Sequence, residues 1–215
     1  MRTKTLLLAV AALAAGVISS EAQNVYSQNI VGYVNIVSTG GVFNLIENPL
    51  DDGTNTVVDL FPSPPVGTIV ETWSGSSFTQ AKYKASGWTT NLLLYPGTGF
   101  FLDYAGVAVE TNTFVGNVVV QQPDGQGLGT NNTAVPTGFV LHGSVFPVAD
   151  TLTGTNVNLG PSLQVVGSIV ETWNGASYVQ SKYKASGWTT NLNFRVGQAF
   201  FIDAVTATNW QQVLQ

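Results

Sequence analysis

The chain has 215 residues, with seven Lys or Arg against twelve Asp or Glu, one His and no Cys. That inventory excludes disulfides and a Cys/His zinc site. So few cations also argue against nucleic acid, which proteins hold by neutralising phosphates with Lys and Arg. Charged residues are 9% of the chain, where about a quarter is ordinary, so little charge repulsion opposes self-association.

The first 22 residues read as a signal peptide: Arg2 and Lys4, an apolar stretch from Leu6 to Val17, then Ser20-Glu21-Ala22 as a cleavage site. No stretch reaches the roughly 20 apolar residues of a membrane span, so none is expected once the signal is removed. The expectation is an exported protein, extracellular, on the cell surface or periplasmic. Its mature chain would begin at Gln23, with Lys82, Lys84, Lys182, Lys184 and Arg195 as its only basic residues.

From Gln23 onward the chain is punctuated by β-rich runs and turn residues. Ile30–Val37 reads as a strand with Gly32 inside it, and Phe114–Val118 is similar enough to suggest that each of two copies opens on such a strand. An interior glycine there points to a bulge or a close backbone approach. Phe43–Ile46 is a further strand, matched by Phe139 in the second copy. Gln121–Pro136 is rich in Gly, Asn and Pro and reads as a long exposed loop inserted in the second copy.

The central feature is a direct repeat: Val66–Gly106 returns as Val166–Thr206, about 25 of 41 positions being identical. In TIVETW, Ile69, Glu71 and Trp73 alternate with Thr68, Val70 and Thr72, as in a strand. SGSS or NGAS closes a hairpin. Asn174-Gly175 suits a two-residue type I′ turn, whereas a four-residue loop sets Trp73 opposite Phe78 and Trp173 opposite Tyr178; both stay open. FTQAKYK, SGW and FFLD or FFID follow, and the paired Phe residues require a strand covered on both faces. No helical periodicity appears beyond the leader. The fold class expected is all-β, as two tandem antiparallel sandwich-like or barrel-like units, 23–113 and 114–215.

Candidate chemistry is sparse. His142 stands alone and reads as a structural imidazole, so no catalytic residue is assigned. Glu71 and Asp103 recur as Glu171 and Asp203; a carboxylate pair can hydrolyse glycosides, but recurrence at matching positions favours cross-strand pairing and strand-end capping. Asp51, Asp52 and Asn55 are weak calcium candidates, without the spacing of an EF-hand loop, and Asx turns explain them; no other cofactor is indicated. The sequence KYKASGWTTNL is unchanged between copies. Trp73, Tyr83, Trp88 and Asn91, with Trp173, Tyr183, Trp188 and Asn191, could therefore form a sugar-binding platform or a packed aromatic core.

An export signal, VYSQNIVGYVN, then units of an ETW strand, an NG turn, KYK, SGW and G-x-x-FFI resemble secreted tandem-repeat β proteins of environmental bacteria. That resemblance implies export and repeated β units, and it carries no activity or site residues. The reading is a secreted or cell-surface structural or adhesive protein, not an enzyme, whose partners are copies of itself or a cell-surface polymer or glycan. The alternatives are a carbohydrate-binding protein and, more remotely, a glycosidase.

Overall fold

The computed structural model describes residues 31–106, 108–123 and 129–214; the expected signal peptide, 1–22, lies outside them. Strands β1 (Val31–Thr39), β2 (Asn44–Glu47), β3 (Ile69–Trp73), β4 (Phe78–Lys84), β5 (Gly87–Trp88), β6 (Gly99–Asp103) and β7 (Val109–Asn117) build the first unit. The second contains β8 (Gln122–Pro123), β9 (Gly129–Val135), β10 (Gly138–His142), β11 (Asp150–Thr151), β12 (Ile169–Trp173) and β13 (Tyr178–Lys184). It is completed by β14 (Gly187–Trp188), β15 (Asn193–Phe194), β16 (Phe200–Ala204) and β17 (Thr208–Leu214).

Each unit has a five-stranded antiparallel sheet, β2-β6-β3-β4-β5 or β10-β16-β12-β13-β14, and a separate ribbon, β1-β7 or β9-β17 with β8 on its edge. The fold is all-β and sandwich-like, and no closed barrel occurs among the described residues.

Alternation along the strands decides the layers. In the first unit, Val70, Phe100 and Leu102 face inward onto Ile36 and Phe114 of the ribbon and onto Leu50, Val57 and Phe61. In the second, Val170, Phe200 and Ile202 meet Val135, Trp210, Leu152 and Leu159. The opposite faces of the two sheets pack on each other through Leu45, Phe101, Leu141, Ala199 and Phe201, flanked by Phe43, Trp73 and Trp173. FFLD and FFID are thus covered on both faces. Phe100 lies in its unit's core, Phe101 in the seam between units, and both are buried.

Three details depart from the sequence reading, and one decides an alternative it left open. Val31–Val34 and Phe114–Asn117 are partners, not equivalents: Gly32 lies opposite Gly116 in the β1-β7 ladder. Gly116 is required by a close approach, because a Cβ there would collide with the Asp51 backbone, which exchanges hydrogen bonds with Asn117 (2.8 and 2.9 Å). The boundary drawn at 113/114 therefore falls inside β7.

Second, the 121–136 segment is not simply a loop, for Gly129–Val135 forms β9, paired along its length with β17. Its low β-propensity is overridden by that partner and by buried Asn131, which accepts from the Gln121 N–H (2.8 Å) and donates to the Val119 carbonyl (2.6 Å).

Third, the hairpin loops have four residues, setting Trp73 opposite Phe78 and Trp173 opposite Tyr178. Asn174 is not in the left-handed region a type I′ turn demands. Its Oδ1 instead accepts from the N–H groups of Ala176 (3.0 Å) and Ser177 (2.8 Å).

Fourth, two single helical turns occur, Val57–Leu60 and Leu159–Ser162. Four residues are too few to register a 3.6 period; the first is set by Thr56, whose hydroxyl accepts from the Asp59 N–H (3.3 Å).

Candidate functional site

The seam between units has approximate two-fold symmetry. Trp73 donates its indole N–H to the Phe139 carbonyl (3.1 Å), and Trp173 donates to the Phe43 carbonyl (2.7 Å). Phe201 meets Trp73 edge-on at 6.1 Å, Phe101 meets Trp173 at 6.2 Å, and the two Phe rings lie 6.2 Å apart. The backbone follows the same symmetry, with Glu47 N–H to Gly197 carbonyl and Gly143 N–H to Gly97 carbonyl, both 2.9 Å. These tryptophans therefore join the units.

The other platform candidates are also built into the frame. Trp88 is half-buried, donates to the Phe61 carbonyl (2.9 Å) and stands edge-on to Tyr83 at 5.4 Å. Trp188 repeats this with the Gly160 carbonyl (3.4 Å) and Tyr183 (5.3 Å). Asn91 accepts from the Val58 N–H (3.4 Å) and Asn191 from the Thr153 N–H (3.1 Å), each tying down a neighbouring segment. Thr89 and Thr189 accept from the backbone of Lys82 and Lys182 at 3.0 Å. An edge-on, half-buried pair of rings is not the coplanar open surface on which a sugar ring stacks.

The carboxylates follow suit. Glu71 and Glu171 accept from Gln80 and Gln180 on the neighbouring strand, 2.7 Å in both copies. Asp51 accepts from the Gly53 N–H (2.8 Å) and the Asn55 amide (2.6 Å), and Asp52 from the N–H groups of Thr54 (2.8 Å) and Asn55 (2.6 Å). Partial burial pushes the Asp52 carboxyl up, but the Asn55 and Thr54 hydrogen bonds outweigh it and hold the group below the usual range. No group of three or more metal-ligating side chains occurs among the described residues. His142 is half-buried at the end of β10, opposite Phe200; desolvation lowers its pKa.

Two features were not read from the sequence. Glu47 is buried in the seam with neither carboxylate oxygen hydrogen-bonded, and desolvation raises its pKa well above the carboxylate range. The Ser144 N–H is directed toward it and offsets a fraction of that shift without reaching hydrogen-bond geometry. Glu47 fits because its two-fold counterpart is Gly143, where any Cβ would overlap the Glu47 side chain. The signal was an acidic residue directly after the apolar pair Leu45-Ile46 in the strand NLIE.

The second is an open groove of about 960 Å³ between β1–β2 of the first unit and the β12–β13 turn and 193–198 segment of the second. Its lining includes Asn44, Trp173, Asn174, Asn193, Arg195 and Gln198. Gln198 holds the segment by accepting from the Arg195 N–H (3.0 Å). The side-chain donors of Asn193 and Arg195, both exposed, have no partner among the described residues. Comparison with protein-family models, with curated proteins and with solved structures finds no match for this chain.

Proposed function

We propose that this is a non-enzymatic structural or adhesive protein of the cell exterior that associates with its own copies along β1. Support comes from where the reactive side chains are spent: the recurring tryptophans, Glu71 and Glu171 all serve the frame.

The observation that carries the reading is the outer edge of β1. Among the described residues, β7 pairs with one edge of this nine-residue strand and no strand pairs with the other. Its sequence, VGYVNIVST, has neither charge nor proline, the devices by which monomeric proteins blunt such an edge. Val31, Tyr33 and Val37 are 66–69% exposed along it, with Val109 and Val115 on the same outer face of β7. A second copy could extend this ribbon by strand addition, covering those side chains at the same time.

Light scattering after size exclusion of the mature chain tests this. The expected result is a mass that rises with concentration, and a single monomeric species for Tyr33→Lys/Val37→Lys. A wild-type protein that remains monomeric at every concentration would sink the proposal.

A further inference from the structure

The internal duplication supplies its own control for the groove. Between Val66–Asp103 and Val166–Asp203 thirteen positions differ. At six of them the second copy holds the longer or more polar hydrogen-bonding side chain, and four of the six, Asn174 for Ser74, Asn193 for Leu93, Arg195 for Tyr95 and Gln198 for Thr98, line this one groove; Tyr178 for Phe78 and Ser181 for Ala81 lie outside it.

On the facing wall Asn44 stands where the second unit has Val140, and its amide is spent within the first unit, accepting from the Thr39 N–H (2.9 Å) and donating to the Thr39 (2.7 Å), Val42 (3.0 Å) and Leu102 (3.2 Å) carbonyls. Across the two-fold, the positions that correspond to Asn193 and Arg195 are Leu93 and Tyr95, 52% and 54% exposed. Packing does not explain the contrast at Asn193 and Arg195, which are exposed as well, whereas Asn174 and Gln198 also hold their own local segments.

The groove lining contains one guanidinium, several carboxamides, Trp173 and no carboxylate. Carboxamides give both donors and acceptors to ring hydroxyls, and arginine's planar fork takes a carboxylate through two parallel bonds. A polyphosphate would need more cations than one. An extended peptide would be read mainly through the β1 backbone, which leaves the side-chain donors of Asn193 and Arg195 on the opposite wall without a purpose.

We infer that the groove binds a uronate-bearing oligosaccharide, with Arg195 pairing its carboxylate and Asn174, Asn193 and Gln198 contacting its hydroxyls. This goes beyond self-association and does not depend on it. Because β1 contributes to one wall, binding is measured at concentrations where light scattering records a single species.

The experiment is calorimetric titration of the full mature chain with size-defined oligomers of galacturonate, guluronate and glucuronate, beside neutral glucan and galactan oligomers of equal length. The expected result is saturable binding of at least one uronate series. Arg195→Gln should weaken it by about 10-fold or more, and Asn193→Leu by a smaller factor. Leucine already occupies the matching position of the first copy, so the second variant keeps the fold, and thermal melting confirms this for both. Three results would overturn the inference: no binding of any uronate, equal binding of the neutral series, or uronate binding that survives Arg195→Gln. Binding of acidic peptides in preference to every uronate would also overturn it, reassigning the groove to a peptide.

Discussion

The two copies keep the same frame and differ in what they place around it. Phe101 and Phe201, Trp73 and Trp173, Glu71 and Glu171 make matching contacts, down to hydrogen bonds of equal length in both units for the last pair. By contrast, Glu47 faces Gly143 across the seam, and Leu93 and Tyr95 answer to Asn193 and Arg195. In this molecule the unchanged residues mark packing, and divergence between copies marks positions free to acquire a role. That inverts the usual weight given to a repeated motif.

Breaking the symmetric part should cost most. Phe101→Ala removes a ring that meets Phe43, Phe78, Trp173 and Phe201, and Phe201→Ala removes its counterpart. Each should lose about 3–5 kcal/mol in urea unfolding. Because the two rings touch, the double variant should lose less than the sum of the two. Additive losses would mean that the units are not coupled through this seam.

Gly143→Ala breaks the asymmetric part. Its new Cβ would come within 2.6 Å of the Glu47 Cβ as well as meeting the carboxylate, so swinging the carboxyl aside does not relieve the clash. A loss of about 1–3 kcal/mol is expected, and Glu47→Ala in the same chain should recover part of it. If Gly143→Ala melts like wild type, Glu47 does not occupy that space.

Glu47 also predicts an unusual pH dependence. Its folded pKa is raised above 4.5, so the buried carboxyl is protonated when the unfolded one has ionised. Its contribution is complete below about pH 4.5 and is lost as pH rises toward the folded value. Glu47→Gln should therefore stabilise the protein at neutral pH relative to wild type. His142 acts in the opposite sense: its folded pKa lies below 6.5, so stability falls as pH drops through 6.5 and the unfolded imidazole takes up a proton. Glu47→Gln should keep that acid-side loss and remove the decline at higher pH. Parallel stability curves for the two proteins would refute the assignment to Glu47.

Local pattern revealed the sheets well. Alternation in TIVETW set Val70 on the face opposite Ile69, Glu71 and Trp73, and the structure buries Val70 and its counterpart Val170 fully; FFLD and FFID demanded two covered faces and have them. Pairings between distant strands were not legible. Gly32 and Gly116 sit in similar runs and are neighbours across a ladder, and similarity alone cannot separate partners from equivalents. β9 was hidden because GTNNTAV, with its Gly and two Asn, has low propensity of its own and is held as a strand by its pairing with β17. The groove joins Asn44 to Asn174 and Arg195, far apart in sequence, so no single stretch carried its signature.

The smallest expected effects sharpen the division between frame and function. Trp173→Phe removes a buried-side hydrogen bond to Phe43 but keeps most of the ring, and should cost about 1 kcal/mol, with Trp73→Phe similar. Glu71→Ala and Glu171→Ala remove a partly exposed cross-strand bond to Gln80 or Gln180 and should each cost no more than about 1 kcal/mol. What matters is that the two Glu losses be equal. Two equivalent scaffold residues must respond alike, whereas a carboxylate serving a single catalytic cleft would leave its twin silent in any activity assay. A glycan-cleaving activity abolished by one Glu change and untouched by the other would return the carboxylates to chemistry; equal, small stability losses with no such activity place both in the sheet.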